Sequence, residues 1–242
     1  MRARGRAREG FCCGPEMARA TMADAVLSAR DVWKSYDGRT DVLRGISLDV
    51  AKAEAVLIWG PNGSGKTTLL SILGGLDVPD RGSVSIAGRE ITGLREAELA
   101  KVRLHDVGFV FQVHNLIDDL TVEENIALPL RLAKKPADER VGELMETFGL
   151  IPLATRRPKA ISVGESQRVA IARALANGPK VILADEPTAA LDMEGYLSVL
   201  EAFNLARTSF GAAIVMASHD VDIRGMAASQ YGLRDGVLSR VA

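Results

Sequence analysis

Val56-Leu57-Ile58-Trp59-Gly60-Pro61-Asn62-Gly63-Ser64-Gly65-Lys66-Thr67-Thr68-Leu69-Leu70 joins an apolar run of strand type to a glycine-rich turn and the start of an apolar helix. Gly60, Gly65, Lys66 and Thr67 fall on the spacing G-x-x-x-x-G-K-[ST] of a phosphate-binding loop. Gly60, Gly63 and Gly65 let the chain turn tightly, so that successive backbone N–H groups point into one concavity. The helix that follows adds the positive end of its dipole to that anion site. Lys66 can place an ammonium on β- and γ-phosphates, and the Thr67 hydroxyl can ligate Mg²⁺. Pro61, Asn62, Ser64 and Thr68 complete the cradle. The loop says nucleotide; it does not say what the nucleotide's energy drives.

Size and charge narrow the remaining choices. The chain has 242 residues, with 30 basic and 31 acidic side chains and a net charge of −1. That length suits one large α/β domain or a domain with a sub-domain. The balanced charge offers no electrostatic footprint for nucleic acid. No apolar run approaches the ~18 residues of a membrane-spanning helix. The two cysteines, Cys12 and Cys13, are adjacent, which suits neither a disulfide framework nor zinc, and a reduced, cytoplasmic setting is the simplest fit. Residues 1–22 carry Arg2, Arg4, Arg6, Arg8 and Arg19 among Ala and Gly, with no apolar stretch behind them. This reads as a disordered basic tail rather than a signal peptide. Met17 and Met22 offer alternative starts.

Along residues 23–242, strand patterns at Val26–Val32 and Val42–Val50 precede the Val56–Trp59 strand with no helix between them, which predicts an antiparallel sheet at the N-terminal end. From the phosphate loop onward, strands at 83–87, 107–111, 181–184 and 212–217 alternate with helices at 67–73, 94–104, 121–133, 136–148, 164–176 and 192–207. This alternation predicts a mainly parallel sheet. Thr121 and Glu124 stand at capping-box spacing. The helices between about 113 and 170 read as an inserted helical sub-domain. Short strands around Asp235-Gly236 close the chain.

A second chemical site stands at the tip of the strand Val181–Ala184, where Asp185-Glu186 follows. The C-terminal ends of parallel strands are where ligands sit in open α/β sheets. Asp185 can hold Mg²⁺, usually through water, and Glu186 is placed to act as general base for an attacking water.

The order of phosphate loop, Gln112, Ile161-Ser162-Val163-Gly164-Glu165-Ser166-Gln167-Arg168, Asp185-Glu186, Leu191-Asp192 and His219 resembles the nucleotide-binding subunit of ATP-binding-cassette (ABC) transporters. The likeness runs from about Val26 to Ala242, and Gln167-Arg168-Val169-Ala170-Ile171-Ala172-Arg173-Ala174-Leu175 matches the family's signature helix closely. The resemblance implies an α/β P-loop ATPase with a mainly parallel core sheet, an antiparallel β sub-domain and a helical sub-domain, binding ATP and Mg²⁺. It implies that Tyr36 stacks on adenine, that Gln112 touches Mg²⁺ and water and senses a membrane partner, and that His219 contacts the γ-phosphate. Ser162 and Gly164 would bind the γ-phosphate of ATP held by a second subunit, and Asp192 would face that subunit. A dimer closed around two ATP, here a homodimer, is therefore expected.

Departures from the family pattern carry expectations too. Ile161, Val163 and Glu165 replace the Leu, first Gly and Gln of the usual Leu-Ser-Gly-Gly-Gln, so Val163 is expected to crowd the phosphate and Glu165 to bring negative charge beside it. Ala189-Ala190 replaces residues more often polar. The stretch Gln112–Ile126, Pro129-Leu130 and Leu183–Thr188 looks like the subgroup serving lipoprotein release and macrolide export. That implies a separate permease chain and a place on the inner face of the cell membrane. A soluble ABC-type ATPase acting as an assembly scaffold is the alternative.

Overall fold

In the computed structural model, residues 25–189, 191–220, 225 and 227–241 are described. The expected basic tail, Cys12, Cys13, Met17, Met22 and Ala190 lie outside them. Strands β1 (Ala25–Ser35) and β2 (Asp41–Ala51) pair antiparallel, and β1 also pairs antiparallel with β4 (Arg81–Ile86), giving a four-stranded sheet in the order β2-β1-β4-β5. The last strand, β5 (Arg89–Glu90), is only two residues long, too short to leave a periodic signature in the sequence.

The second sheet combines β3 (Ala55–Trp59), β6 (Val107–Val110), β7 (Val181–Asp185), β8 (Ala213–Ser218), β9 (Ser229–Arg234) and β10 (Val237–Arg240) in the order β10-β9-β3-β8-β7-β6. All its pairings are parallel except the β9–β10 hairpin. Every residue of β8 and the first four of β7 are buried, as strands covered on both faces require.

Alternating side chains of these strands feed two cores. Val56, Ile58, Val181, Leu183, Val215 and Ala217 face helix α1 (Lys66–Leu73), helix α2 (Glu96–His105) and the antiparallel sheet. Leu57, Ile182, Ala184, Ile214 and Met216 face α3 (Val122–Leu132), α4 (Asp138–Thr147), α5 (Val163–Leu175) and α6 (Met193–Thr208). The period-two alternation of a strand divides one apolar run between two layers. Thr121 caps α3 as its spacing predicts, with Glu124 N donating to Thr121 Oγ1 and Thr121 N donating to Glu124 Oε2.

Register then sets where chemistry can happen. Trp59 on β3 pairs with Ser218 on β8, and Asp185 on β7 pairs with Ala217. The C-terminal tips of three adjacent strands thus end side by side, so the loops leaving them meet at one edge of the sheet.

Candidate active site

The phosphate loop leaves β3 and closes on α1 through Gly65, whose φ of 100° is open to glycine at little cost. At Gly60 the constraint is space: a Cβ there would stand 2.4 Å from the Leu233 carbonyl oxygen. Gly65 makes no side-chain cap, so the first N–H groups of α1 remain turned to the loop's concavity. Lys66 is only 6 % exposed. Its Nζ donates to the carbonyls of Gly60 at 2.9 Å and Pro61 at 3.3 Å, and lies 3.3 Å from Glu186 Oε1.

Asp185 and Glu186 come to this loop from the tip of β7. Thr67 Oγ1 donates to Asp185 Oδ2 at 2.7 Å, a contact across 118 residues of chain. The other oxygen, Asp185 Oδ1, is buried without a hydrogen-bond partner among the described residues. Burial pushes the Asp185 carboxyl up, the neighbouring Glu186 charge adds to the rise, and the Thr67 bond opposes it. Glu186 sits at φ 47°, a left-handed conformation that costs a non-glycine residue about 1 kcal/mol. Its N–H donates to the Ala217 carbonyl on β8. The carboxylate is thereby turned back toward Lys66 on one side and His219 on the other. His219 Nδ1 lies 2.8 Å from Glu186 Oε2, which also accepts from the His219 backbone N–H at 3.3 Å. A carboxylate accepts only, so Nδ1 carries the proton and Nε2 is left as an acceptor. The His219 side chain is 57 % exposed.

The remaining predicted residues fall in other places. Gln112 is exposed two residues beyond β6 and, among the described residues, bonds to none of Lys66, Asp185, Glu186 or His219. The segment after it is held by α5: Arg173 donates to the carbonyls of His114 at 2.9 Å and Asn115 at 2.7 Å. Ser162, Gly164 and Asp192 form a separate group, where the N-termini of α5 and α6 line a cleft of about 570 Å³. The two helices approach so closely that a Cβ on Gly164 would stand 3.2 Å from the Gly195 Cα. Asp192 caps α6 by accepting from Gly195 N–H at 2.8 Å. Ser162 caps α5, its Oγ accepting from Glu165 N–H, while Ser162 N–H donates to Glu165 Oε2 at 2.7 Å. Glu165 therefore serves as the reciprocal half of a capping box, a role glutamine fills equally. The Ser162 backbone bond holds its carboxyl below the ordinary glutamate range. Val163 is 49 % exposed at the first turn of α5 and lines the cleft.

Tyr36 is 64 % exposed, and its hydroxyl lies 3.5 Å from Thr68 Oγ1 at the phosphate loop. Two partners of Tyr36 escaped the sequence reading, Lys34 and Asp77. Lys34 is two residues away, near the end of β1, a weak signal; Asp77 is separated by 41 residues and left none. Ser218 was also missed. It is fully buried, accepts from Asp220 N–H at 3.0 Å and fixes the turn that presents His219.

The chain resembles known proteins along most of its length. Residues 43–189 match the family described as ABC transporter. The chain is 41 % identical over 222 residues to the lipoprotein-releasing system ATP-binding protein LolD of Alcanivorax borkumensis, a span covering 89 % of this chain and 97 % of that protein. It is 40 % identical over 218 residues to the bacitracin export ATP-binding protein BceA of Halalkalibacterium halodurans, covering 88 % and 86 %. Among solved structures, the dimeric post-hydrolysis state of the ATP-binding cassette MJ0796, bound to ADP and Pi, superposes with a TM-score of 0.80 at 35 % identity, covering 89 % of this chain and 99 % of that one.

Proposed function

The chain belongs to the ABC transporter family as one of its ATPases, and we propose that it drives a separate membrane permease of the lipoprotein-release or export type. Two copies would close around ATP to do so. The observation that carries the catalytic part is the position of Glu186. One carboxylate oxygen lies beside the Lys66 ammonium and the other beside the His219 ring. Both partners are groups that a triphosphate attracts. Entry of the γ-phosphate draws Lys66 off Glu186 and the loop carbonyls, and draws the His219 Nδ1–H, the donor of the ring, from Glu186 to a phosphate oxygen. Glu186 is then released to accept a proton from the attacking water. The water oxygen bonds to the γ-phosphorus, the bond to the ADP oxygen breaks, and ADP and phosphate result. Glu186 is in this way held by Lys66 and His219 until nucleotide enters.

The residues also suit Mg²⁺. Asp185 Oδ1 is a buried carboxylate oxygen without a partner among the described residues, and the Thr67 hydroxyl is bonded to the same carboxylate. These are hard oxygen donors of the kind the ion prefers, and Gln112 is the third candidate. When bound, Mg²⁺ neutralises charge on the transferring phosphoryl group.

Two features favour a partner copy. Ser162 and Gly164 stand apart from the phosphate loop of their own chain, and the α5 N-terminus keeps free N–H groups suited to an anion. The solved MJ0796 cassettes are dimers. No described helix is long and apolar enough to cross a membrane. Purification of the tagged protein from membranes in mild detergent, with mass spectrometry of what accompanies it, tests the reading. A co-purifying multi-helix permease is expected. Recovery without any membrane protein would favour the scaffold role instead.

A further inference from the structure

Tyr36 stands in a small clamp beside the phosphate loop, its hydroxyl 3.5 Å from Thr68 Oγ1. Its hydroxyl donates to Asp77 Oδ2 at 2.8 Å. The other oxygen, Asp77 Oδ1, accepts from Lys34 Nζ at 2.8 Å and from the Val78 N–H at 2.7 Å. Lys34 Nζ also donates to the Val78 carbonyl at 2.7 Å. The same ammonium lies 5.1 Å from the centroid of the Tyr36 ring. Lys34 is only 9 % exposed, whereas Tyr36 is largely open to solvent. The cation is therefore on the protein side of the ring, and the ring itself remains accessible.

From this geometry we infer that Lys34 and Asp77 are positioning residues for the nucleotide base: they lock Tyr36 into a stacking orientation before the base arrives. The inference rests on the reading of Tyr36 as the base platform. An exposed tyrosine otherwise samples several χ1 wells, and a ligand that stacks on it must select one. Here one end of the ring is tied at its oxygen and the inner face is set on an ammonium. Burial alone would raise the Asp77 carboxyl, but the bonds from Lys34, Tyr36 and Val78 outweigh it and hold the group below its ordinary range. Asp77 thus stays ionised and keeps both oxygens as acceptors. A cation near an aromatic face attracts its π density. With Lys34 beneath, the outer face of Tyr36 becomes a better surface for an electron-rich purine.

The clamp also joins two distant segments of the chain. Lys34 and Tyr36 come from β1 and the turn beyond it, and Asp77 comes from the segment after α1. The Asp77 N–H is itself bonded to the Ser71 carbonyl of α1. The base platform is consequently fixed to the helix that begins at the phosphate loop, which sets the distance between base and phosphate sites.

The test is calorimetric titration of the full-length protein and its variants with ATP and, separately, with inorganic tripolyphosphate. Tyr36→Phe removes one exposed oxygen and keeps the ring. Asp77→Asn keeps the shape but leaves an amide that can serve only one side of the clamp. Each is expected to weaken ATP binding by about 2- to 10-fold, the cost of ordering one side chain. The double variant should be no weaker than either alone, because both break the same contact. Tripolyphosphate, which has no base, should bind all of them as it binds the wild type. In turnover, Asp77→Asn should raise KM for ATP by the same factor and leave kcat in place. Tyr36→Ala serves as the control for the platform itself and should weaken ATP by more than either. If Tyr36→Ala weakens ATP binding but Tyr36→Phe and Asp77→Asn do not, Tyr36 is the platform and the clamp is refuted. Unchanged ATP binding in Tyr36→Ala would overturn the platform and the clamp together. Equal losses of ATP and tripolyphosphate would place the effect on the phosphate loop, and the inference would be wrong.

Discussion

Replacing Glu186 by Gln removes the proposed base with the smallest change of shape. Its Oε2 accepts from the His219 backbone and lies against the His219 ring, and a Gln carbonyl oxygen can keep those contacts. Its Oε1 lies 3.3 Å from the Lys66 ammonium, and there a Gln amide replaces a charge attraction with a donor facing a donor. Lys66 keeps the Gly60 and Pro61 carbonyls, so the loop retains its form. Removing a general base costs about 10²- to 10⁴-fold in rate, or about 3–5 kcal/mol of transition-state stabilisation. The Gln variant should therefore bind ATP at least as tightly as wild type, because Lys66 no longer has to leave a carboxylate, and turn it over about 100-fold more slowly or worse. Phosphate release under saturating ATP measures the rate, and light scattering of the ATP-bound protein measures whether a dimer accumulates. Turnover within tenfold of wild type would refute Glu186 as the base. Loss of ATP binding would show that the Lys66–Glu186 pair organises the loop rather than restraining the base.

Other outcomes follow from the same contacts. Val163→Gly should strengthen ATP-driven dimerisation and raise the ATPase rate, whereas Glu165→Gln, which keeps the capping box, should change little; no response to Val163→Gly in either assay would end the idea that the valine crowds the cleft. Glu165→Ala should destabilise the protein at pH 7 by about 1 kcal/mol, the usual cost of a lost cap, or about 2–4 °C in Tm. The folded Glu165 pKa is depressed, so its stabilisation is present above the ordinary glutamate range and disappears as pH falls through the folded value. Thermal melts should accordingly converge with wild type only as pH falls through the folded value, below the ordinary glutamate range, and a gap that stayed constant down to full protonation would contradict the sign. Arg173→Met removes two charge-assisted bonds to the segment after Gln112 and should cost about 2 kcal/mol or more. If Gln112 reports to a permease through that segment, stimulation of the ATPase by the reconstituted permease should fall more than the basal rate.

Much of the fold was legible because its signals are local. The apolar runs at β3, β7 and β8 and the periodic helices between them sufficed for a parallel α/β sheet, and Thr121 with Glu124 marked a real helix start. The two-residue β5 carried no period and was missed. At the site, the phosphate loop and Asp185-Glu186 could be read from residue types and spacing alone. Glu165 could not: beside a phosphate motif it reads as an unwelcome charge, and only the backbone of α5 shows it satisfying Ser162 N–H. Lys34 and Asp77 gave no motif at all, since what joins them to Tyr36 is contact in space.

By itself the sequence determined which chemical groups are present and the local backbone that carries each: a glycine turn before a helix, two carboxylates at a strand tip, a serine and an aspartate at helix starts. Residue type and short-range spacing set these, because φ/ψ preferences, capping and side-chain period act over a few residues. The tertiary structure decided which groups meet. Thr67 bonds Asp185, and Lys66 and His219 flank Glu186, because β3, β8 and β7 are neighbours in register. It also decided that Ser162 and Asp192 share a different cleft from the phosphate loop of their own chain. Strand order is fixed by packing across the whole core, between residues more than a hundred positions apart, and no local pattern encodes it.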